Sequence, residues 1–153
     1  MNQKVMIAMS GGVDSSVAAY LMQQSGYDCI GATMLLCSTS LSASPTSSGD
    51  ARAIAQKLNI PFFEYNAQQL FENQVVQPFI DVYAQGGTPN PCVTCNKKLK
   101  FGYLLDLAKQ EGCSHIVTGH YARIESHNGR YLLRKAPDAV KDQTYFLAGL
   151  NQE

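Results

Sequence analysis

The sequence has no excess of either charge and no long apolar run. Lysine plus arginine and aspartate plus glutamate each number 12 among 153 residues. Because the two signs balance, no overall positive field attracts nucleic acid, and any such contact must be local or come from another part of the protein. No stretch of 18 apolar residues and no basic-then-apolar leader occurs. The expectation is a cytoplasmic protein that does not interact with a membrane.

Cysteine occurs in an odd number, which argues against a disulfide framework. Five cysteines in a chain expected to be cytoplasmic favour reduced thiols. Two of them, Cys92 and Cys95, form a Cys-x-x-Cys motif. Apolar residues make up 45% of the chain. A chain of about 150 residues buries roughly 70% of its unfolded surface, so the composition predicts one domain with a substantial core.

Stretches rich in strand-forming residues alternate with stretches of helical period. Strands are predicted at residues 4–9, 27–36, 61–65 and 115–118. Helices are predicted directly after residue 16, at 49–58 with Asp50 as the cap, at 68–84 with a break near Pro78, from an Asn96 cap to about 111, and at 142–150. The alternation predicts an α/β fold with a doubly wound, mostly parallel, Rossmann-like sheet. Ligands of such sheets bind beyond the carboxyl ends of the strands.

Two segments depart from this alternation. Residues 38–49 are small, polar and aperiodic, which predicts a mobile loop. Residues 121–125 and 130–134 are joined across a segment that contains Asn128-Gly129, a typical hairpin turn. A small β-hairpin near the carboxyl end is therefore expected beside the parallel sheet.

The first strand leads directly into SGGVDSS at residues 10–16. Adjacent glycines favour a turn with positive φ, and the free amides of a helix start, with the hydroxyls of Ser10, Ser15 and Ser16, favour phosphate binding. The Walker spacing and its lysine are absent, and the pattern instead resembles the PP-loop of ATP pyrophosphatases, which bind the pyrophosphate of ATP and transfer the adenylyl group. The alternative is an ordinary glycine-rich turn capped by Asp14 or Ser15.

A second informative stretch is TPNPCVTCNKKLKF at residues 88–101. Two prolines stiffen the loop, and Cys95 is expected just before a helix start with three lysines close behind. The helix start and the lysines would each lower the thiol pKa of Cys95, which makes Cys95 the expected reactive thiol of the pair. A structural zinc site would need two more ligands, and no second motif supplies them. Iron–sulfur ligation would need a third cysteine from elsewhere, and it stays open.

Together these stretches resemble one family, the tRNA-specific 2-thiouridylases, which place sulfur at the 2-position of a wobble uridine. The matching segments follow one another through almost the whole chain: residues 9–16 (MSGGVDSS), 50–52 (DAR), 88–91 (TPNP) with 95–96 (CN), 100–102 (KFG), 118–123 (TGHYAR) and 141–147 (KDQTYFL). The resemblance implies a PP-loop ATP-binding catalytic domain over residues 1–153, of the adenine nucleotide alpha hydrolase-like type. It also implies ATP and Mg²⁺ as cofactors.

The resemblance implies a role for each matched residue. The nucleotide would be held by Ala8, Met9, Ser10, Gly11, Gly12, Val13, Asp14 and Ser15, with Met34 and Gly119 completing its site. Asn90, Pro91 and Cys92 would face the target base beside His120, and the tRNA would contact Lys141, Asp142 and Gln143. Cys95 matches the first catalytic cysteine of the family, and Asp14 and Cys92 are further candidate catalytic residues.

The implied reaction has two steps. Adenylation of the uridine 2-carbonyl turns its oxygen into a good leaving group, and a persulfide or sulfide then attacks the carbon, which gives 2-thiouridine, AMP and pyrophosphate. The implied partners are a tRNA anticodon stem-loop and an upstream protein that relays persulfide sulfur.

Two departures from the family pattern bear on this expectation. Many members have Asp where this chain has Cys92, and the cysteine favours metal or cluster chemistry. The chain is also much shorter than the family. Members carry a second catalytic cysteine, a central domain and a β-barrel that help to bind tRNA, and these are absent here. The expectation is a domain that binds nucleotide but turns over poorly alone.

Two alternatives were weighed against the thiouridylase interpretation. One is another adenylating PP-loop enzyme, either an amidotransferase or a sulfurtransferase. The other is a non-catalytic nucleotide-binding module of the universal-stress-protein kind. Such modules lack a Cys-x-x-Cys beside a proline-stiffened loop and lack the KDQ segment at 141–143, so both features favour the enzyme.

Overall fold

Four strands form a parallel sheet at the centre of the computed structural model, which describes residues 3–37 and 46–152. The order across the sheet is β3-β2-β1-β4. The strands are β1 (Lys4–Ala8), β2 (Asp28–Leu35), β3 (Phe62–Asn66) and β4 (His115–Val117). The chain moves outward from β1 to β3 and then returns to the other side of β1. The order therefore reverses at β1, and this is where open parallel sheets bind their ligands.

Strand β1 is buried on both faces, as a central parallel strand must be. Val5, Met6 and Ile7 are fully buried, and Ile7 pairs with Gly31 of β2 and Val117 of β4. A continuous apolar run, rather than an alternating one, is the pattern expected for such a strand. The predicted parallel sheet is confirmed.

Helices connect the strands and cover both faces of the sheet. Their bounds are α1 (Val13–Gln24), α2 (Thr46–Lys57), α3 (Gln68–Phe71), α4 (Gln77–Ala84), α5 (Pro91–Cys95) and α6 (Leu104–Gln110). Two π-helical segments, Glu72–Val76 and Asn96–Tyr103, join α3 to α4 and α5 to α6, and a 3₁₀ turn follows at Thr144–Leu147.

The core is divided into two clusters by the sheet. On one face Val5 and Ile7 pack with Ala19 of α1 and with Ala51 and Ala55 of α2. On the other face Met6, Ile30 and Ala32 pack with Leu104 and Ala108 of α6. Because successive residues of a strand point to opposite faces, alternate β1 residues serve the two clusters. The doubly wound arrangement follows directly.

The predicted carboxyl-terminal hairpin is present as β5 (Arg123–His127) and β6 (Arg130–Arg134), which pair antiparallel. Asn128 and Gly129 between them have φ of 49° and 75°. Positive φ at both central residues is what a two-residue turn needs to match the twist of the strands.

The amino-terminal bound of α2 differs from the prediction. The helix begins at Thr46, so Asp50 lies inside it and is not its cap, and residues 46–49 are helical rather than loop. Of the segment predicted to be mobile, residues 38–45 lie outside the described residues. Small Ser and Thr residues mask a helix start in the sequence because they also favour loops.

The helix that carries the cysteines also begins earlier than predicted. Asn90, not Asn96, is the cap, because its side chain accepts a hydrogen bond from the Val93 amide at 3.2 Å. Pro91 follows at the first helical position, where its missing N–H costs nothing. Asn96 is instead buried inside the continuous helical stretch and donates to the carbonyl of Phe146 at 3.2 Å.

Two further predicted helices were only partly right. The break expected near Pro78 occurs just before it, as the π-helical segment Glu72–Val76, and Pro78 lies in the first turn of α4. The helix predicted at 142–150 is reduced to the 3₁₀ turn. Among the described residues, no helix combines the length and the apolar character that crossing a bilayer requires.

The buried position of β1 generates a stability prediction. Ile7 is fully buried, whereas Ile124 of β5 is 69% exposed. Ile7→Ala should lower the free energy of unfolding by about 2–5 kcal/mol, since it leaves a cavity in the sheet core. The matched surface change Ile124→Ala should cost only about 0.5 kcal/mol. Urea denaturation of both variants measures the difference, and similar losses would contradict this description of the core.

Candidate active site

A cleft of about 300 Å³ opens at the carboxyl ends of β1, β2 and β4, where the strand order reverses. Nine of the residues singled out from the sequence line it: Ala8, Met9, Ser10, Asp14, Ser15, Met34, Gly119, His120 and Gln143. Their convergence follows from the parallel sheet, because loops that follow neighbouring parallel strands meet at one edge.

The loop between β1 and α1 leads into an uncapped helix start, of which Asp14 and Ser15 line this cleft, whereas Gly11 and Val13 border a neighbouring pocket. Gly12 is the cap residue of α1, and no side chain makes a capping hydrogen bond there. None of the described residues accepts a hydrogen bond from the amides of Val13, Asp14 or Ser15. Three amide donors in the first turn of a helix form a site for an anion. The alternative of a turn capped by Asp14 or Ser15 is not what the structure has.

The loop is held in shape by its own serines. The Ser15 hydroxyl is buried, donates to the Gly12 carbonyl at 3.1 Å and accepts from the Ser10 amide at 3.2 Å. The Ser16 hydroxyl donates to the same carbonyl at 2.7 Å. Of the two glycines, only Gly11 needs positive φ, at 79°; Gly12 has φ of −80°.

The chain that follows β4 lies directly against this loop. A Cβ atom on Gly119 would lie 2.7 Å from the backbone of Asp14 and Ser15, so no larger residue fits without displacing the loop. Tyr121 then donates its hydroxyl to Asp14 Oδ1 at 3.0 Å. The two loops therefore form one rigid wall of the cleft.

Lys100 is the residue that sequence reasoning missed. It lies in the π-helical segment Asn96–Tyr103 and lines the cleft, where its Nζ is 3.5 Å from His120 Nε2. The other ring nitrogen of His120 is 2.7 Å from Thr118 Oγ1. Burial, and then the charge of Lys100, lower the pKa of His120 to about 4, so the imidazole is neutral at pH 7. The KFG segment at 100–102 was the signal available in the sequence.

The remaining wall of the cleft comes mostly from residues without a sequence signal of their own. Ala32, Thr33, Leu36 and Leu104 line it because of their place at strand and helix ends, together with Thr118 of the TGHYAR segment. The Thr33 hydroxyl donates to the Met9 carbonyl at 2.6 Å and ties β2 to the loop after β1. No local pattern identifies such residues before the strand order is known.

The environment of Cys95 contradicts the expectation drawn from the sequence. Cys95 is the last residue of α5 and lies inside the continuous helical stretch, so it has no helix start beside it. Burial raises its thiol pKa, and the charge of Lys100 offsets this only in part. The predicted lowering of the Cys95 pKa is therefore wrong. Cys92 is exposed in the first turn of α5, and neither thiol lines the cleft.

A short segment connects the cysteine helix to the cleft. Helix α5 packs against the 3₁₀ turn Thr144–Leu147. Just before that turn, Gln143 lines the cleft and exchanges two hydrogen bonds with the backbone of Tyr121, at 2.9 and 3.0 Å. Lys141 places its ammonium 5.2 Å from the centre of the Tyr121 ring. Residues 141–147 thus hold the cysteine helix near the wall of the cleft.

Asp142 has a structural task in this segment. Its Oδ1 accepts from the hydroxyl and the amide of Thr144, and its Oδ2 accepts from the Ala136 amide at 2.6 Å. The Thr144 hydroxyl is the main cause of a lowered Asp142 pKa. Both carboxylate oxygens are therefore already engaged within the chain.

The described residues offer little for a resident metal centre. No three His, Cys, Asp or Glu side chains among them lie close enough to hold a metal ion. Cys29 and Cys113 are buried in opposite clusters of the core and behave as small apolar residues there. Cys92 and Cys95 by themselves do not fit an iron–sulfur cluster, which takes further cysteine ligands.

The fold and this site define a PP-loop type of α/β nucleotide-binding domain, with an uncapped helix start after the first strand at the point where the strand order reverses. The chain belongs to the family of the tRNA methyl transferase HUP domain, whose model matches residues 3–153.

The resemblance to the 2-thiouridylases is confirmed by similar proteins. The tRNA-specific 2-thiouridylase MnmA of Clostridioides difficile (strain 630) is 51% identical over 166 residues, which cover 100% of this chain and 45% of the relative. The protein of the same name from Clostridium perfringens (strain 13 / Type A) is 49% identical over 159 residues, which cover 99% of this chain and 44% of the relative. The chain spans less than half the length of these curated relatives.

Solved structures at lower identity share the fold. The U34-tRNA thiolase NcsA from Methanococcus maripaludis, solved with its 4Fe–4S cluster, superimposes with a TM-score of 0.55 at 22% identity, over 78% of this chain and 38% of that one. An NMN synthetase from Francisella tularensis gives 0.53 at 22% identity, over 74% of this chain and 44% of that one. At these identities the likeness concerns the fold alone.

Cys92 should be the more reactive thiol of the Cys-x-x-Cys motif, whereas the sequence predicted Cys95. Cys92 is exposed, whereas Cys95 is half-buried with a raised pKa. Iodoacetamide at pH 7.5 should therefore alkylate Cys92 several-fold faster than Cys95, since the exposed thiol is accessible and the thiolate is the reacting form. Peptide mass spectrometry over time measures both rates. The buried Cys113 should react slowest, and faster labelling of Cys95 than Cys92 would contradict the structure.

Proposed function

We propose that this chain is the ATP-binding, adenylating domain of a tRNA 2-thiouridylase. The observation that carries the proposal is the uncapped start of α1, with three free amides, at one end of a cleft that Lys100 also reaches. Relatives named tRNA-specific 2-thiouridylase at about half identity over the whole chain support the substrate class. Because the chain spans less than half the length of these relatives, the complete reaction is proposed for a protein of their length.

The nucleotide is assigned to the cleft from the chemistry of its walls. The pyrophosphate of ATP accepts hydrogen bonds from the amides of the first turn of α1, within residues 8–15. The apolar part of the cleft, which includes Met34 and Leu36, suits the adenine ring, and Gly119 completes the site at the wall beside the loop after β1. The cleft therefore has amide donors at one end and apolar side chains at the other. These two ends match the anionic phosphates and the apolar base of a nucleotide.

Magnesium fits this site through its phosphate ligands. Mg²⁺ commonly binds through one or two carboxylates together with substrate phosphates. Asp14 is the carboxylate among the described lining residues, and the Tyr121 hydroxyl orients one of its oxygens. Asp14 would hold the ion, and the bound ion would neutralise part of the negative charge of the phosphates.

The reaction we assign to the full-length protein proceeds by adenylation. The 2-carbonyl oxygen of a wobble uridine bonds to the α-phosphorus of ATP, and pyrophosphate leaves with the electron pair of the broken P–O bond. A hydrosulfide ion, or the terminal sulfur of a persulfide, then adds to C2 and AMP leaves with the former carbonyl oxygen. With hydrosulfide, loss of its proton completes 2-thiouridine; with a persulfide, a second thiol must cleave the S–S bond.

Contacts to tRNA and to the sulfur donor are assigned to the surface near the cysteines. Asn90, Pro91 and Cys92 border the start of the cysteine helix, and Lys141 offers a positive charge beside Tyr121. Cys95 is the assigned catalytic thiol, and His120 borders the target base. The donor is a persulfide relay protein, and free thiols throughout the described chain suit the cytoplasm.

Gly12→Val tests the nucleotide site. A Cβ at Gly12 would meet only Ser10 Oγ, at 3.4 Å, and φ of −80° suits any residue, so the fold should survive. The branched side chain would occupy the space into which the first amides of α1 point, and ATP affinity should fall at least about tenfold, or 1.4 kcal/mol. Isothermal titration of wild type and variant measures this. Unchanged affinity in a folded variant would refute the site.

An oxygen-isotope experiment tests the reaction. The full-length protein is given ATP, a sulfur donor and an anticodon stem-loop whose wobble uridine carries ¹⁸O at the 2-carbonyl. Adenylation requires that the label appears in AMP and that one AMP forms per 2-thiouridine, both read by mass spectrometry. Label in water, or release of ADP in place of AMP, would exclude the proposed reaction. Unlabelled uridine serves as the control.

A further inference from the structure

Lys100 carries a charge for which the described residues provide no counter-ion. Of the described residues that line the cleft, it is the one lysine or arginine. No carboxylate of the described chain lies within ion-pair distance of its Nζ. A half-buried ammonium normally has an acidic partner because burial without one is costly. The positive charge of Lys100 is therefore available to a ligand.

The partner that Lys100 does have is a neutral ring. An ammonium only donates, so His120 Nε2 must be the acceptor, and its Nδ1 then carries the proton and donates to Thr118 Oγ1 at 2.7 Å. At 3.5 Å the contact between Lys100 and His120 is longer than a normal hydrogen bond. Burial and the Lys100 charge hold the pKa of His120 at about 4, which keeps the ring an acceptor at pH 7. His120 thus positions Lys100 without neutralising it.

We propose that Lys100 binds the triphosphate of ATP directly and is a catalytic residue of adenylation, with His120 as its positioning residue when no nucleotide is bound. This inference rests on the proposed function and adds a phosphate-binding group from a different part of the chain. The ammonium leaves the weak contact with His120 and forms charge-assisted hydrogen bonds to phosphate oxygens. There it stabilises the negative charge that grows on pyrophosphate as the bond to the α-phosphorus breaks.

The assignment resolves the difficulty raised by the loop sequence. Residues 10–16 contain no lysine, unlike a Walker loop, so the loop itself offers no cationic side chain to the charge of a triphosphate. Lys100 supplies the missing cation from the helix that also carries Cys92 and Cys95. Binding of the nucleotide and placement of the thiols therefore share one helical segment.

Nucleotide binding by three variants tests the proposal. Lys100→Gln should weaken ATP binding about 10- to 100-fold, the effect of losing a charge-assisted hydrogen bond, and leave adenosine binding within about twofold of wild type. Lys100→Arg should restore most of the ATP affinity. Lys98→Gln removes the same charge from an exposed position of the same segment and should change neither affinity. Isothermal titration with each ligand gives the values.

The outcomes separate this inference from the proposed function. Wild type that binds neither ATP nor adenosine would refute the nucleotide site itself. Wild type that binds ATP, with Lys100→Gln binding ATP equally well or losing ATP and adenosine affinity in parallel, would refute only the role of Lys100.

A measurement on the wild type alone keeps the test independent of whether a variant folds. An ammonium that is bound to phosphate reacts poorly with acetic anhydride. ATP should therefore protect Lys100 from acetylation at least several-fold, as read by peptide mass spectrometry, whereas adenosine should not, and Lys98 should be unaffected by either ligand. Equal acetylation of Lys100 with and without saturating ATP would overturn the proposal.

Discussion

The close contact between Gly119 and the backbone of Asp14 and Ser15 is the constraint on which the rest of the site depends. It joins the loops that follow β1 and β4, which are far apart in the sequence but adjacent in the sheet. His120 and Tyr121 are placed over the cleft only because Gly119 brings the chain so near. Through the hydrogen bonds of Tyr121, the same contact fixes Gln143 and therefore the segment that leads to the 3₁₀ turn. A side chain at residue 119 would disturb all of these positions together.

The cysteine helix depends on this arrangement through two links. Asn96 donates to the Phe146 carbonyl, and Lys100 reaches His120, so two positions within the Asn96–Tyr103 segment tie the helix to the 3₁₀ turn and to the cleft wall. Asn96 is buried, and its side-chain amide makes this bond although its Oδ1 has no partner among the described residues. A rigid helix presents its thiols at a fixed place, whereas a loop would not. This explains why a reactive motif follows a proline-stiffened entry.

The parts of the structure that the sequence predicted are those with strong local signals. The apolar run at Val5–Ile7 predicted a buried parallel strand, SGGVDSS predicted the loop and helix start, and Asn128-Gly129 predicted the hairpin turn. The helix starts at Thr46 and Asn90 were missed because Ser, Thr and Asn residues suit loops and caps alike. Lys100 was noted as one of three lysines near Cys95 and as part of the KFG segment, but no site role was given to it. Its place in the cleft depends on the packing of α6 against β4, which no local pattern encodes.

The π-helical form of Asn96–Tyr103 has a consequence for how this region tolerates change. In a π-helix the hydrogen bonds join residues five apart, so residue i+5 lies nearly above residue i, whereas in an α-helix it lies on a different side. Cys95 and Lys100 are five residues apart and are brought to one side by this winding. The winding and the residue count between them are therefore coupled: five residues bring both side chains to one side only in the π-helical form, whereas an α-helix would do so with four. Selection on this segment should then act on its length and its winding together.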